Sequence, residues 1–196
     1  PIMDHSPRPS CLGACTDQQR YDTIAALGSA EARTPHLDQL CRDGVAFERA
    51  YCQSPICTPS RSSFLTGLYP SAIAANINGN DRLRLPEQAR FVTQRLADAG
   101  YRCGLAGKLH LASPWHGREH RLDDGYQDFW HSISNAQLPD DTNDYYKWLR
   151  DRGDVERALD LTGYSEERKS GGVYQPDVPF ELHQTTWCCD RAIEFI

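Results

Sequence analysis

Long apolar runs are missing from this chain, and so are blocks of lysine and arginine. No uncharged apolar stretch exceeds a few residues, far short of the roughly 20 that a membrane-spanning helix needs. With 21 Lys+Arg against 27 Asp+Glu the formal charge is −6, which argues against a nucleic-acid binder or membrane-surface protein. Zinc-type Cys-x-x-Cys pairs are absent, and Cys11/Cys15 and Cys52/Cys57 lack histidines at finger spacing. Eight cysteines over 196 residues make no dense disulfide framework, and vicinal Cys188 and Cys189 would leave a helix on different sides. Seven of the eight read as reduced, buried thiols; Cys57 is the exception. What is present, 39% apolar residues and 10% aromatics at a mean hydropathy of −0.63, suffices for one globular domain with a sizeable core.

Start and stop signals are also scarce. The chain opens on Pro1, its sole methionine is Met3, and it closes inside an amphipathic run from Thr185 to Ile196. That run puts Cys189, Ile193 and Ile196 on one stripe with Cys188, Ala192 and Phe195 beside it, and no Gly, Asn or Pro stop follows. A fragment, cut at least on its C-terminal side, is the expectation. Residues 1–10 are expected to be disordered and hold no apolar core of a secretory signal. A start at Met3 would place the protein in the cytoplasm, which an upstream apolar segment would reverse.

Between the ends, strands and helices alternate. Cys11–Thr16 is a weak strand, interrupted by Gly13 and followed by the polar turn Asp17-Gln18-Gln19-Arg20. Thr34-Pro35 is a cap followed by proline at the first helical position, opening a helix that Gly44 ends. Val45–Tyr51 alternates as a strand, and Thr58-Pro59 opens a second capped helix to about Gly67. Pro86–Ala99 is a helix whose Ala89, Val92, Leu96 and Ala99 share a face, with Gly100 as its stop. Tyr101–Gly107 is a strand of small residues that would carry Lys108 and His110, at alternate positions, on one side of the sheet. This order predicts an α/β sandwich around a largely parallel sheet, with ligands at the carboxyl ends of strands. Residues 131–178 form a polar, loop-rich insertion with one short helix over Asp144–Arg152. It is either a solvated surface or a substrate-side rim.

The segment Cys57-Thr58-Pro59-Ser60-Arg61-Ser62-Ser63-Phe64-Leu65-Thr66-Gly67 is the most informative. A helix beginning there aims N–H groups and the positive end of its dipole at whatever Cys57 holds, a setting suited to a tetrahedral anion. Arg61 lies one turn on and would project back to the same point. The Cys-x3-Arg spacing excludes a thiol phosphatase, which needs Cys-x5-Arg. A buried structural cysteine ahead of a capped helix is the plain alternative for Cys57 alone.

Cys-Thr-Pro-Ser-Arg followed by Ser-Ser-Phe-Leu-Thr-Gly resembles the first signature of the formylglycine-dependent sulfatases, whose Cys-x-Pro-x-Arg directs conversion of the cysteine to Cα-formylglycine. Gly100-Tyr101-Arg102-Cys103-Gly104-Leu105-Ala106-Gly107-Lys108-Leu109-His110-Leu111 resembles the second signature. Thr16–Thr23 is similar to the family's N-terminal metal loop and Thr34–Leu40 to its first helix. Gly125–Phe129 and His183–Trp187 fit as well, so the likeness runs from about Arg8 to Ile196. It implies the N-terminal part of a single catalytic domain of the alkaline-phosphatase-like superfamily: a sandwich with a largely parallel central sheet flanked by helices, incomplete on the C-terminal side.

The resemblance also implies roles. Asp17 would ligate one calcium ion through a carboxylate oxygen, as a hard cation requires. Gln18 stands where many members have a second Asp and could offer its amide oxygen. Position 57, converted and hydrated, would be metal ligand and nucleophile together. Arg61 and Lys108 would neutralise charge on the nucleophile and on the sulfate oxygens. His110 would take the proton of the second hydroxyl so that sulfate is expelled. His183 would face the substrate and protonate the leaving group, and Asn78 would line the pocket. His36 reads as a surface or packing residue, and His116, His120 and His131 as solvated.

The reaction implied is hydrolysis of a sulfate monoester, small-molecule or carbohydrate, after a transient encounter with the formylglycine-generating enzyme and with no nucleic-acid or membrane partner. A phosphonate monoester or phosphodiester hydrolase of the same superfamily matches nearly every motif and is the alternative. The family's remaining metal ligands, an Asp and an Asn or His, and a further lysine are absent from these 196 residues. The chain in isolation is therefore expected to be inactive, a catalytically incomplete fragment.

Overall fold

A computed structural model of the chain describes residues 9–17, 19–78, 89–112, 119, 121–133, 142–159 and 178–196. The chain divides into two compact units, Pro1–Tyr51 and Cys52–Ile196. The expectation for residues 1–10 falls largely on residues outside that description, as do Gln18, His116 and His120.

The first unit is built on α1, Pro35–Asp43, with two single-turn 3-10 helices, Tyr21–Thr23 and Ala25–Leu27, before it. Thr34 is the N-cap residue and Pro35 opens the helix, as the sequence leads one to expect. The threonine hydroxyl, however, does not cap: it accepts from Ala25 N at 2.8 Å and donates to Asp38 Oδ1 at 2.8 Å. Asp38 Oδ1 also accepts from Ala26 N at 2.9 Å. Thr34 and Asp38 thus tie the 3-10 turn to the helix. Neither Cys11–Thr16 nor Val45–Tyr51 is a strand. A strand needs a ladder partner, none is present in this unit among the described residues, and Val45 and Phe47 are exposed.

The second unit carries the sheet. Strands β1, Gly104–Gly107, and β2, Asp128–His131, run parallel, pairing Gly104 with Asp128 through Gly107 with His131. β1 is shorter than the Tyr101–Gly107 strand expected, and Lys108–His110 belong to the turn after it. Helix α2 spans Cys57–Thr66, two residues earlier than the Thr58-Pro59 pattern suggests, with Ile56 as N-cap and Gly67 as C-cap. Helix α3 is Val92–Asp98, much shorter than Pro86–Ala99, because Phe91 is extended and Gln94 Oε1 accepts from Phe91 N at 2.9 Å. Its buried face is also rotated from the one expected: Thr93 points inward, its hydroxyl donating to the Asp124 carbonyl, and Val92 is exposed.

Helices α4, Asp144–Arg152, and α5, Val155–Leu159, lie within the polar 131–178 region, and α6, Gln184–Phe195, closes the unit. α4 matches its expected range, with Asn143 Oδ1 accepting from Tyr146 N at 3.2 Å as a true cap. Tyr145, Leu149, Ala158, Leu182 and Trp187 form one apolar cluster, and Leu65, Phe91, Leu109 and Leu111 form another beside the site. α6 buries Trp187 and turns Phe195 and Cys188 towards β1, leaving Cys189, Ile193 and Ile196 exposed. The reason is steric: a Cβ on Gly104 would sit 2.9 Å from the Phe195 ring, so the helix seats where the strand has no side chain. All eight cysteines are free thiols, but only Cys103 is buried. Buried thiols therefore describe one position rather than seven.

Gly125 fixes how the 121–127 segment meets α3. Its φ is +81°, and a Cβ there would lie 2.5 Å from Gln94 N and 2.6 Å from Thr93 C, backbone that cannot step aside. Gly153, at φ +74°, has nothing within 4 Å. Gly125→Ala is expected to cost the full-length protein more than about 2 kcal/mol in chemical denaturation. Gly153→Ala is expected to cost only about 1 kcal/mol, the left-handed strain alone. Equal losses would contradict the close approach.

Candidate active site

The site grows from the first turn of α2 and the turn that follows β1. α2 is unusual in burying polar residues, with Thr58, Ser62 and Ser63 inside alongside Pro59 and Leu65. Thr58 N and Thr58 Oγ1 both donate to Asn78 Oδ1, each at 3.1 Å. This corrects one expectation from the sequence. Pro59 has no N–H and the Thr58 N–H is directed at Asn78, so the helix start offers an anion fewer donors than its position suggests.

The positive charge comes instead from Lys108, whose Nζ donates to Cys57 Sγ at 3.3 Å. Arg61 Nη1 donates to the Lys108 carbonyl oxygen, so the arginine holds the backbone of the residue whose ammonium meets the cysteine. Leu109 and Leu111 are buried in the neighbouring apolar cluster, worth about 1.5–3 kcal/mol each, and they anchor the turn from below. Cys57, Arg61, Lys108 and, through Thr58, Asn78 are therefore brought together.

His110 is buried, with φ +55°. That left-handed conformation is rare for a residue with a Cβ, so strand alternation does not carry Lys108 and His110 onto one side. A buried carboxylate stabilises the turn. Glu119, 2% exposed, accepts from His110 N at 2.8 Å with Oε2, and from Leu111 N and from Ala112 N (3.1 Å) with Oε1. Three consecutive N–H groups around one anion make a backbone nest. His131 Nε2 lies 3.6 Å from Glu119 Oε2. His131 is itself buried, donates its backbone N–H to Asp144 Oδ2 at 2.7 Å, and stacks on Phe129 at 5.6 Å. The solvated reading of His131 is thus wrong, because position 131 ends a strand rather than sitting in a loop.

Other expected site residues belong to other elements. His183 is the N-cap of α6, its Nδ1 accepting from Thr185 N at 3.1 Å, which leaves the proton of the neutral ring on Nε2. Asp17 belongs to the first unit, and His36, also there, is exposed as expected. Glu119 escaped sequence reasoning because Gly117-Arg118-Glu119-His120 looks like a solvated charge run. His131 carried a usable signal, since Phe129 and His131 fall at alternate positions after the Gly125–Phe129 motif.

Burial raises the Glu119 carboxyl, but the His131 contact and the three N–H bonds outweigh it and hold the group below its ordinary value. A depressed folded-state value stabilises above the unfolded value, and that stabilisation is lost as pH falls through the folded one. Glu119→Gln is therefore expected to lower stability by about 1–3 kcal/mol at neutral pH. The gap from wild type should narrow below about pH 4. Denaturant titrations of both proteins across that range measure it, and a gap that widens on acidification would contradict the assignment.

Comparison with known proteins places this geometry. The sulfatase family description matches residues 14–174. An ulvan-active sulfatase of Formosa agariphila is 32% identical over 177 residues, covering 89% of this chain and 30% of that protein. An arylsulfatase of Clostridium perfringens is 26% identical over 197 residues, covering 96% of this chain and 40% of its own length. The chain thus spans well under half the length of these relatives. The crystal structure of the phosphonate monoester hydrolase of Agrobacterium radiobacter matches 91% of this chain and 36% of its own, with TM-score 0.61 at 24% identity. That likeness is one of fold, the alkaline-phosphatase-like α/β sandwich. With the family match running from Ala14 across both signature segments and the turn between β1 and β2, the chain belongs to the sulfatase family.

Proposed function

We propose that this chain is the N-terminal part of the catalytic domain of a sulfuric ester hydrolase that acts through a formylglycine at position 57. The observation that carries the proposal is the Lys108 Nζ–Cys57 Sγ contact at the first residue of α2, inside a Cys-x-Pro-x-Arg sequence. A hydrated aldehyde at position 57 supplies one hydroxyl to attack sulfur and a second whose deprotonation expels sulfate.

Lys108 sets an ammonium where charge builds on the attacking oxygen and on the sulfuryl oxygens. Preorganised charge of this kind is usually the largest contribution to such transfers. Arg61 fixes Lys108 through its carbonyl and adds a second positive group to the same turn. His110 is the base for the second hydroxyl. His183, with its proton on Nε2, is the acid for the ester oxygen that leaves. Asn78 supports the helix start through Thr58. The substrate class is a small-molecule or carbohydrate sulfate monoester.

Calcium is proposed on the strength of the family and of the hard oxygen that Asp17 offers. Among the described residues no three His, Cys, Asp or Glu side chains come together to hold a metal, and a thiol is a poor ligand for calcium. None of the steps above runs through the ion.

Pro59 is fully buried in the folded chain, so a modifying enzyme that reads Pro59 and Arg61 must act before α2 packs. In a host with that enzyme, mass spectrometry of the peptide containing position 57 is expected to show an aldehyde. Cys57→Ala is expected to abolish turnover by the full-length protein. Cys57→Ser should be similarly crippled where conversion requires a thiol. An unmodified thiol at position 57 in the active enzyme would refute the mechanism. The reaction class is checked by comparing kcat/KM for an aryl sulfate and an aryl phosphonate monoester. The sulfate is expected to be preferred, and a preference for the phosphonate would assign the chain to that neighbouring activity.

A further inference from the structure

The turn from Lys108 to Ala112 is held at both ends by ionic groups. At its start Arg61 donates to the Lys108 carbonyl; at its far side Glu119 accepts from three consecutive N–H groups, those of His110, Leu111 and Ala112. Behind Glu119 stands a layered support. His131 Nε2 lies 3.6 Å from the carboxylate, His131 stacks on Phe129 with rings 10° from parallel, and the Arg121 guanidinium lies 4.1 Å from the Phe129 centroid. Arg121 is in turn paired with buried Asp124. A carboxylate nine-tenths buried and served by three N–H groups is an expensive device for closing an ordinary loop. Here the loop carries the ammonium that meets Cys57, and a left-handed histidine two residues on.

We propose that Glu119 is a positioning residue of the active site, supported by His131: its carboxylate sets the 110–112 backbone and thereby aims Lys108 at position 57 and His110 at the reacting group. The inference rests on the sulfatase reading for its catalytic consequence but not for its geometric one. Glu119→Gln keeps the shape, yet it turns one acceptor oxygen into a donor facing N–H groups. The turn should relax, and a relaxed Lys108 and His110 slow the chemical steps more than they weaken binding.

The kinetic arm uses the full-length enzyme with 4-nitrophenyl sulfate, rates being expressed per aldehyde-bearing, folded molecule. Glu119→Gln is expected to lower kcat by about tenfold or more, as small displacements of catalytic groups do, while KM moves less than about threefold. Glu119→Asp, which keeps the charge but draws it back, should fall between wild type and Glu119→Gln. It carries the test alone should Glu119→Gln fail to fold, in which case wild-type kcat in Glu119→Asp overturns the proposal.

The second arm does not depend on turnover. In protein made without the modifying enzyme, an ammonium against the sulfur supports attack by Cys57, so Lys108→Gln should slow its alkylation by iodoacetamide, followed on the Cys57 peptide. Glu119→Gln should slow it likewise. Wild-type kcat and wild-type Cys57 alkylation in a folded Glu119→Gln protein would reduce Glu119 to a structural role and overturn the proposal. A wild-type enzyme inert towards the sulfate would defeat the sulfatase reading instead, and the alkylation arm would still decide the part played by Glu119.

Discussion

The ammonium of Lys108 reaches Cys57 from a different element, and its stem is flexible enough to point elsewhere. Lysine loses on the order of 2 kcal/mol of rotamer freedom when held, so its backbone must already be in place. That requirement organises much of the second unit. Leu109 and Leu111 sink the turn into the apolar cluster with Leu65 and Phe91, which sets its depth. Arg61 and Glu119 set its register, one through a carbonyl and the other through three N–H groups. The left-handed backbone at His110 costs roughly 1–2 kcal/mol, against roughly 1.5–3 kcal/mol for a single hydrogen bond to a charged group. The charged clamp outweighs the strain, and a residue other than glycine can occupy the corner.

Much of this was legible in the sequence, for identifiable reasons. Cys57, Pro59 and Arg61 sit within a single helical turn, where spacing in sequence is spacing in space. Thr34-Pro35 announced a helix start through local chemistry, and the helix begins where those residues put it. Lys108 and His110 were found as a pair, but the strand carrying them ends at Gly107, so the geometry read from alternation does not apply. Glu119 could not be found by any local pattern. Its partners are backbone groups, which every residue possesses, and its neighbours in sequence are polar.

The errors in the helices share one cause. For α3 the apolar pattern named a face and a specific contact chose another; for α6 it named two adjacent stripes, and a specific contact chose Cys188 and Phe195 over Cys189, Ile193 and Ile196. Thr93 turns inward because its hydroxyl meets the Asp124 carbonyl, in a place where Gly125 lets the two backbones nearly touch. Phe195 and Cys188 turn towards β1 because Gly104 leaves room for a ring. Ile193 is left outside although it is as apolar as the residues that are buried. Hydrophobic periodicity weighs residues by their transfer free energy alone. Glycines, which carry almost none, decided where these two helices seat.

α2 shows the converse. Its buried face is Thr58, Pro59, Ser62, Ser63 and Leu65, so little of its placement comes from apolar burial. Hydroxyls inside a protein are costly unless bonded, and here most are answered: Thr58 at Asn78, Ser63 at Gln53 (3.5 Å), and Thr66 at the Ser62 carbonyl (2.6 Å), while the buried Ser62 hydroxyl meets no partner among the described residues. A helix held by hydrogen bonds rather than by a greasy stripe is fixed in rotation and in translation along its axis, because each bond has a direction and a short range. An apolar stripe tolerates small slips. For a helix whose first residue must meet the ammonium of Lys108, the directional fastening is the one that keeps position 57 in register.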